Sequence, residues 1–407
     1  MASILLTNGR VLAETEPLSN GYVLIKDGRI VSLGPMTGDP GLSADRVVDV
    51  KGAYISPGFI DMHTHGIMDV DFMESGAEDI KRGFFEYARY GVTRILGSTL
   101  SNPIDSIVNQ IKVIRRAKEE SPAGDLLAGV HVEGPWLAAR CRGGHALEYL
   151  KNPKRDDVDR ILGEAGDLIK TVTYAPELPG SVWLTETLAA RGVVPVLGHT
   201  EASYEHAEKA ILAGARHVTH MYDTTLGYRE NPEEALVMMP GMETAVLYYD
   251  EVSIELIGCP VHVPRPFFKF INKVKPRERR IIVTDSLVGT GMPEGTELTY
   301  KDGRRVYVAE GVLRMHDPDP AVEGNLTGSA VTINLALKRL CGYADLSVAE
   351  AVRWCSLNPA TTLGLNMETG SIKIGKYADI AVFGEDFDVR MTLLKGNIIF
   401  EKKQEST

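Results

Sequence analysis

The middle of this 407-residue chain alternates short apolar segments with amphipathic ones, and this alternation restricts the folds that the chain can adopt. Between the apolar segments lie stretches with helical periodicity, several of which end at glycine, the common helix stop. Strands that alternate with helices predict an α/β fold with a parallel sheet. The predicted strands are GFIDMH (58–63), TRILGST (93–99), LAGVHVE (127–133), KTVTYAPE (170–177), VVPVLGH (193–199), RHVTH (216–220), VSIELIG (252–258) and RIIVTDS (280–286).

Eight strand–helix units predict a (β/α)8 barrel of the TIM type over residues 57–364. The competing α/β fold, an open doubly wound sheet, would need a glycine-rich phosphate loop after an early strand, and the sequence has none. Both ends of the chain have a different texture, with short alternating strands broken by Asn-Gly and Asp-Gly turn signals. We therefore predict a small β-sandwich domain formed from both chain ends, residues 1–56 plus 365–407.

Composition excludes several classes of partner. The net charge of −11 and the pI near 5.5 argue against a nucleic-acid-binding or anionic-membrane surface. The first residues, MASILLTNGRVLAE, lack a basic segment and a long apolar core, so we expect no secretory signal. The sequence contains no apolar run of the ~18 residues that a membrane helix needs. Its four cysteines are scattered, which fits a reducing compartment. We expect a cytoplasmic protein with a small-molecule substrate.

Polar residues fall at the carboxyl ends of five predicted strands, where barrel enzymes carry their chemistry. His63 and His65 are two apart, so their side chains point to the same side of the first strand. A histidine that only fills a core has no reason to prefer one end of a strand. The pattern therefore predicts one shared site made by His63, His65, Glu133, His199, His220 and Asp285.

Imidazole and carboxylate groups in this number suit one or two divalent metal ions, with zinc favoured over iron or manganese. The predicted metal ligands are His63, His65, Glu133, His199 and His220. Two metals bridged by a carboxylate activate water and polarise a carbonyl. Asp285 then suits the transfer of a proton from water to a leaving amine, and His262 suits donation to a developing oxyanion.

Eight motifs, which run in order along nearly the whole chain, resemble the amidohydrolase superfamily. They are PGFIDMHTHG, HVEGPW, VLGHT, VTHMYD, PVHVP, VTDS, LTGSAVT and GSIKIGKYADIAVF. Within the superfamily they resemble the N-acetylglucosamine-6-phosphate deacetylase family. The resemblance implies metal-dependent removal of the N-acetyl group of an amino-sugar phosphate, and a homodimer.

The resemblance also implies a role for individual residues. Glu133, His199 and His220 would be the core metal ligands, and His63 and His65 would add a second metal position. Asp285 would be the catalytic acid/base, and His262 a second catalytic group that binds the acetyl carbonyl or a sugar hydroxyl. The implied substrate-binding residues are Gly144, His145, Asp223, Thr224, Arg229, His262, Leu326, Thr327 and Gly328, with Arg229 on the 6-phosphate.

Two departures from the family pattern concern the substrate. Asp223 and Thr224 stand where the family usually has Asn-Ala, and a carboxylate repels a phosphate by around 1 kcal/mol or more at contact distance. Cys259-Pro260 replaces the usual Asp-Gly before His262. Dihydroorotases and hydantoinases instead use a carboxylated lysine at the end of strand 4, and Lys170 lies at the beginning of that strand, which disfavours the cyclic-amide activity.

Two alternatives stay open from the sequence. The first is an N-acyl hydrolase of the same superfamily for an unphosphorylated amino sugar or an N-acyl amino acid. The second belongs to another class, a barrel used as a non-catalytic scaffold. The intact set of metal-ligating residues and the presence of Asp285 disfavour the scaffold.

Overall fold

A computed structural model describes residues 3–38, 41–231, 233–300, 303–320 and 323–403, without the side chains of residues 229 and 230. In chain order its strands are β1 Ile4–Val11, β2 Leu18–Lys26, β3 Arg29–Pro35, β4 Arg46–Asp49, β5 Tyr54–Pro57, β6 Phe59–Thr64, β7 Gly66–Ile67, β8 Val70–Asp71, β9 Val92–Thr99, β10 Leu127–Glu133, β11 Ile169–Tyr174, β12 Val194–Leu197, β13 His217–Val218, β14 Tyr228–Glu230, β15 Met238–Pro240, β16 Ser253–Ile257, β17 Arg280–Val283, β18 Glu297–Thr299, β19 Arg305–Ala309, β20 Val312–His316, β21 Leu326–Ser329, β22 Ile380–Phe383, β23 Val389–Leu394 and β24 Asn397–Glu401.

The helices are α1 Ala77–Ala88, α2 Ile104–Glu120, α3 Arg155–Ala165, α4 Ser181–Ala190, α5 Tyr204–Ala213, α6 Met242–Tyr248, α7 Arg265–Val274, α8 Ile333–Ala344, α9 Val348–Trp354 and α10 Leu357–Thr362. Short 3-10 helices cover Gly124–Leu126, Ala139–Cys141, Leu147–Tyr149 and Arg277–Arg279. Across the described part of the chain, no helix is both long and apolar enough to cross a membrane.

Eight parallel strands form the barrel that the sequence predicts, in the order β6-β9-β10-β11-β12-β13-β16-β17. One helix from α1 to α8 follows each strand, and the strands read as apolar runs because both faces of the sheet are covered. The first and last strands meet at their carboxyl ends, where the Asp285 amide donates to the His63 carbonyl at 2.9 Å. The His65 amide likewise donates to the Ser286 carbonyl at 2.8 Å. The (β/α)8 prediction is confirmed.

Strands from both chain ends share a second sheet, in the order β24-β23-β22-β5-β1-β2-β3, with β4 paired to β1. The two ends meet where β5 runs antiparallel to β22, with Ile55 opposite Val382. Leu6, Val23 and Ile55 belong to a buried cluster separate from that of the barrel. The predicted assembly from both ends is therefore present as one continuous sheet with its own core. The boundaries 1–56 plus 365–407 and 57–364 stay a prediction.

A four-stranded antiparallel sheet, β18 to β21, is inserted between β17 and α8. Its last strand lies against the end of the barrel, because Ser286 forms a parallel bridge with Ser329 and the Leu287 amide donates to the Ser329 carbonyl at 3.0 Å. The insertion thereby brings residues 326–328 beside Asp285.

Candidate active site

The carboxylate of Glu133, the last residue of β10, lies at the middle of the carboxyl end of the barrel and is 2% exposed. Imidazole nitrogens surround both of its oxygens at 3.2–3.4 Å. Oε1 faces Nε2 of His63, His199 and His220, and Oε2 faces Nε2 of His65 and His145. All five predicted metal ligands therefore meet at one point.

Asp285 completes this cluster from the last barrel strand. Its Oδ1 lies 3.3 Å from Nε2 of His63 and 3.3 Å from Nε2 of His65. Its side chain is 18% exposed, whereas the histidines beside it are buried, so Asp285 is the member of the cluster that solvent reaches. The structure thus places the predicted acid/base against the predicted ligands. We call His63, His65, Glu133, His199, His220 and Asp285 the centre.

Local backbone geometry aims three of these side chains inward. His199, His220 and Asp285 each lie two residues beyond the end of a barrel strand and have φ of 47°, 20° and 48°. Non-glycine residues rarely adopt positive φ, which costs of order 1–3 kcal/mol. Three such residues at corresponding places in one barrel indicate a functional constraint rather than chance.

The outer nitrogens of two histidines fix their tautomers. His199 Nδ1 lies 2.8 Å from the Cys141 carbonyl, and His63 Nδ1 lies 3.2 Å from Glu255 Oε2. Carbonyl and carboxylate oxygens only accept, so both Nδ1 atoms carry the proton. Each ring therefore faces the Glu133 carboxylate through Nε2, the atom that carries a lone pair when the imidazole is neutral, as a metal ligand must be.

Lone pairs facing a carboxylate repel one another unless a cation lies among them, so the donor set fits a metal ion. The charges of the site favour a cation as well. Burial lowers the pKa of His65 and of His220. Hydrogen bonds from His65 to Asp285 and Glu133, and the bond of His220 to Glu133 together with the charge of Asp285, outweigh burial and raise both pKa values to about 9. His63, His220 and Asp285 form one candidate metal-binding group, and Glu133 belongs with histidines in two others.

Glu255, a buried residue of β16 that the sequence analysis did not single out, binds two histidines of the centre on the side away from Glu133. Its Oε2 accepts from Nδ1 of His63, from the Thr219 hydroxyl at 3.0 Å and from the His220 amide at 3.3 Å. Its Oε1 accepts from His217 Nε2 at 2.8 Å. Burial would raise the pKa of Glu255, but His217 and His63 hold it well below its usual range. This carboxylate therefore orients His63.

His145 reaches the centre from the loop after β10, in the opposite tautomer. The Ser101 amide donates to its Nδ1 at 3.1 Å, so a neutral His145 carries its proton on Nε2. That Nε2 lies 3.3 Å from Glu133 Oε2, to which it donates. Burial lowers the pKa of His145 to about 4, which keeps the ring neutral. His145 is therefore a hydrogen-bond donor to Glu133, whereas the other histidines around Glu133 are predicted metal ligands.

Backbone hydrogen bonds attach the predicted substrate-binding segments to the strand ends. The Thr200 amide donates to the Thr224 carbonyl at 3.2 Å, and the Asp223 amide donates to the His220 carbonyl at 3.0 Å. Gly143 has φ of 54°, and a Cβ there would lie 3.3 Å from the His199 ring, so the loop before Gly144 needs glycine at this point. Gly144 itself is exposed.

The remaining predicted residues form the outer part of the site. Leu326, Thr327 and Gly328 lie in β21, and Oγ1 of Thr327 is buried without a hydrogen-bond partner among the described residues. Arg229 lies in β14, and its side chain is outside the described residues. Burial lowers the pKa of half-buried His262, but Cys259, Asp223 and Asp285 together raise it. We call Gly144, Asp223, Thr224, Arg229, His262 and residues 326–328 the rim.

Sequence reasoning missed Glu255, His217, His131 and Ser101. His131 bonds Thr173 Oγ1 at 2.8 Å, and its ring centroid lies 4.4 Å from that of His63. The sequence did contain a signal for two of them. Residues two apart on a strand face the same side, so His131 shares a face with Glu133, and His217 shares a face with Thr219. A charged residue inside an apolar barrel strand, such as Glu255, is a signal of the same kind.

Comparison with known proteins agrees with this geometry. The model of the Amidohydrolase family matches residues 54–399. The N-acetylglucosamine-6-phosphate deacetylase of Bacillus subtilis is 27% identical, over 99% of this chain and 98% of that protein. The N-acetylgalactosamine-6-phosphate deacetylase of Escherichia coli O157:H7 is also 27% identical, over 96% of this chain and 97% of that protein. A mutant N-acetyl-D-glucosamine-6-phosphate deacetylase from Mycobacterium smegmatis, solved in complex with N-acetyl-D-glucosamine-6-phosphate, superposes with a TM-score of 0.85 at 28% identity, covering 98% of this chain and 100% of that chain.

Proposed function

Because this chain belongs to the amidohydrolase family, we propose that it hydrolyses N-acetylglucosamine 6-phosphate to glucosamine 6-phosphate and acetate. The observation that carries this proposal is the contact of Asp285 with the histidines around Glu133 at the open end of the barrel. Relatives that match nearly the whole chain carry the same activity in their names. A non-catalytic scaffold would not need an acid/base held against a ligand set.

The proposed metal is one or two divalent ions, zinc first, with iron or manganese as alternatives. His63, His65, Glu133, His199 and His220 would hold it, and it would supply a Lewis acid that activates water and polarises the acyl carbonyl. Asp285 accepts the proton of the attacking water and delivers it to the leaving nitrogen. Burial raises the pKa of Asp285, but His63, His65 and His220 outweigh burial and hold it below its usual range. Asp285 therefore starts the reaction ionised.

Residues at the open end of the barrel orient the substrate in this proposal. His262 donates to an oxygen of the acetamido group or of the sugar, and residues 326–328 close over the acetamido group. His145 belongs to the loop that contacts the substrate, while its own N–H is donated to Glu133. Arg229 binds the 6-phosphate, for which a guanidinium is suited because it donates two parallel hydrogen bonds. Gly144 and Thr224 would line the same side of the site, because a Cβ on the adjacent Gly143 would lie 3.1 Å from Cγ2 of Thr224.

A second candidate is favoured by Asp223. Its carboxylate is half-buried on the rim, and its charge reaches His262 and His220. A second negative charge near a bound phosphate is unfavourable, so Asp223 favours an unphosphorylated amino sugar or another N-acyl compound. The Escherichia coli relative is named for a phosphorylated substrate, N-acetylgalactosamine 6-phosphate. That sugar is therefore included among the substrates to be tested.

Acetate release from a matched panel tests the proposal. The panel contains N-acetylglucosamine 6-phosphate, N-acetylgalactosamine 6-phosphate, N-acetylglucosamine and an N-acetyl amino acid. The enzyme is stripped with a chelator and then reloaded with zinc, iron(II) or manganese. The proposal requires metal-dependent release that is fastest from N-acetylglucosamine 6-phosphate. Release from none of the four, at any metal loading, would contradict it.

We further propose a cytoplasmic homodimer. The hairpin β14–β15 supports the dimer, because its apolar side chains face solvent in the single chain: Tyr228 is 61% exposed and Leu236 in the turn is 90% exposed. Sedimentation of the wild type against Leu236→Glu tests this. Two chains per particle for the wild type and one for the variant would fit the proposal. A monomeric wild type would contradict it.

A further inference from the structure

Cys259 lies two residues beyond the end of β16 and is fully buried beside His262. Its Sγ is 2.7 Å from His262 Nδ1. The same sulfur accepts the backbone N–H groups of Val261 at 3.4 Å and of His262 at 3.3 Å. One sulfur thus contacts both the backbone turn that carries His262 and the Nδ1 edge of its ring.

The contact between sulfur and Nδ1 favours two proton arrangements, because a neutral Nδ1–H ring would have to donate to a sulfur that is a weak acceptor and already accepts two backbone N–H groups. If the thiol donates to Nδ1, the neutral imidazole carries its own proton on Nε2. If the sulfur is a thiolate, Nδ1–H donates to it and the ring is an imidazolium, which also carries a proton on Nε2. In both arrangements His262 offers an N–H at Nε2.

His262 lies where such a donor is useful. It follows β16 on the rim, and the charges of both Asp223 and Asp285 act on it. His262 lies beyond the carboxyl end of β16, and Glu133 and Asp285 lie at the same end of the barrel, so His262 is on the side of the barrel where an acyl group would react. A neutral ring with its proton on Nδ1 would turn a lone pair toward the substrate oxygen and would bind it poorly.

We propose that Cys259 is a positioning residue that holds His262 as an Nε2–H donor toward an oxygen of the substrate. Cys259 touches no substrate atom in this proposal and acts only through His262. The prediction that the substrate oxygen belongs to an N-acetyl sugar rests on the proposed function, whereas the tautomer of His262 does not.

Nitrogen-15 NMR of histidine-labelled, metal-loaded protein tests the tautomer directly. His262→Gln assigns the resonance. In the wild type, Nε2 of His262 should show the shift of a protonated nitrogen, and in Cys259→Ala this fixed state should be lost. Cys259→Ser keeps a donor to Nδ1 and should restore it, while Cys341→Ala, on α8, is the matched control. An unchanged His262 spectrum in Cys259→Ala would overturn the proposal, even if the enzyme acts on none of the substrates tested.

Kinetics test the consequence. Cys259→Ala should lower kcat/KM by about tenfold, less than the loss of an oxyanion donor itself, while metal content and Tm hold. In a His262→Gln background the same change should have no further effect, because Cys259 acts through that ring. Equal losses from Cys259→Ala in both backgrounds would mean that Cys259 acts elsewhere.

Discussion

The centre and the rim of this site differ in how firmly the fold fixes them. The four histidines of the centre and Glu133 are at most 4% exposed, and each touches another member at 3.1–3.4 Å. On the rim, Leu326 is 40% exposed, and Asp223 and His262 are half-buried. The buried centre determines which reaction is possible, because its groups are held by the barrel itself. The rim determines which substrate reaches it, because its groups belong to loops and an inserted sheet.

The departures from the family pattern fall on the rim and in the buried turn that supports His262 of the rim. Asp223, Thr224 and Cys259 stand where the resemblance implies other residues, whereas all five expected ligands and Asp285 are in place. A change in the centre should therefore lower turnover for every substrate alike. A change on the rim should alter the preference among substrates.

The largest expected effect follows Glu133→Gln. The substitution removes the negative charge of the carboxylate that all four histidines of the centre surround, so metal content should fall. Because Lewis-acid stabilisation is worth several kcal/mol, kcat should fall by ~10³-fold or more. Metal analysis and kcat, measured beside Glu119→Gln on the exposed face of α2, check this. Full metal content with normal turnover would remove Glu133 from the centre.

Asp285→Asn comes next. The amide keeps the size of the side chain but cannot accept the proton, so kcat should fall by at least ~10²-fold for all substrates. Metal content should hold, because Glu133 and four histidines remain. Single-turnover acetate release separates chemistry from product release, and exposed Asp156→Asn on α3 is the control. Near-normal turnover would assign the base to another residue.

Glu255→Gln should affect the metal rather than the proton transfer. The amide gives a weaker acceptor for His63 Nδ1, and loss of such an outer partner typically lowers metal affinity by about 10–100-fold. Competition with a metal-binding dye gives the affinity. At saturating metal, kcat should return close to that of the wild type. An unchanged affinity would show that Glu255 supports only the fold.

The smallest effect is expected on the rim. Asp223→Asn should raise kcat/KM for N-acetylglucosamine 6-phosphate by about fivefold, the equivalent of around 1 kcal/mol of relieved repulsion. For the unphosphorylated sugar the same change should be neutral. If the true substrate carries no phosphate and Asp223 binds it, activity should instead fall. Initial-rate kinetics on both sugars distinguish these outcomes.

The strand ends were predictable from sequence, and the contacts behind them were not. Buried parallel strands read as apolar runs, so a histidine or carboxylate just after such a run, as at Glu133 or Asp285, marks the open end of the barrel. The partner of His63 lies 192 residues away in β16, and no local pattern pairs the two. The tautomers of His145 and His262 likewise depend on Ser101 and Cys259, contacts that only the packed loops create.

The separation of centre and rim is tested most directly by one ratio. It is kcat/KM for N-acetylglucosamine 6-phosphate divided by kcat/KM for N-acetylglucosamine, measured in the metal-loaded wild type, Asp285→Asn and Asp223→Asn. We predict a ratio well above one in the wild type, the same ratio in Asp285→Asn despite its low turnover, and a higher ratio in Asp223→Asn. A ratio that shifts with Asp285→Asn and stays constant in Asp223→Asn would contradict the account.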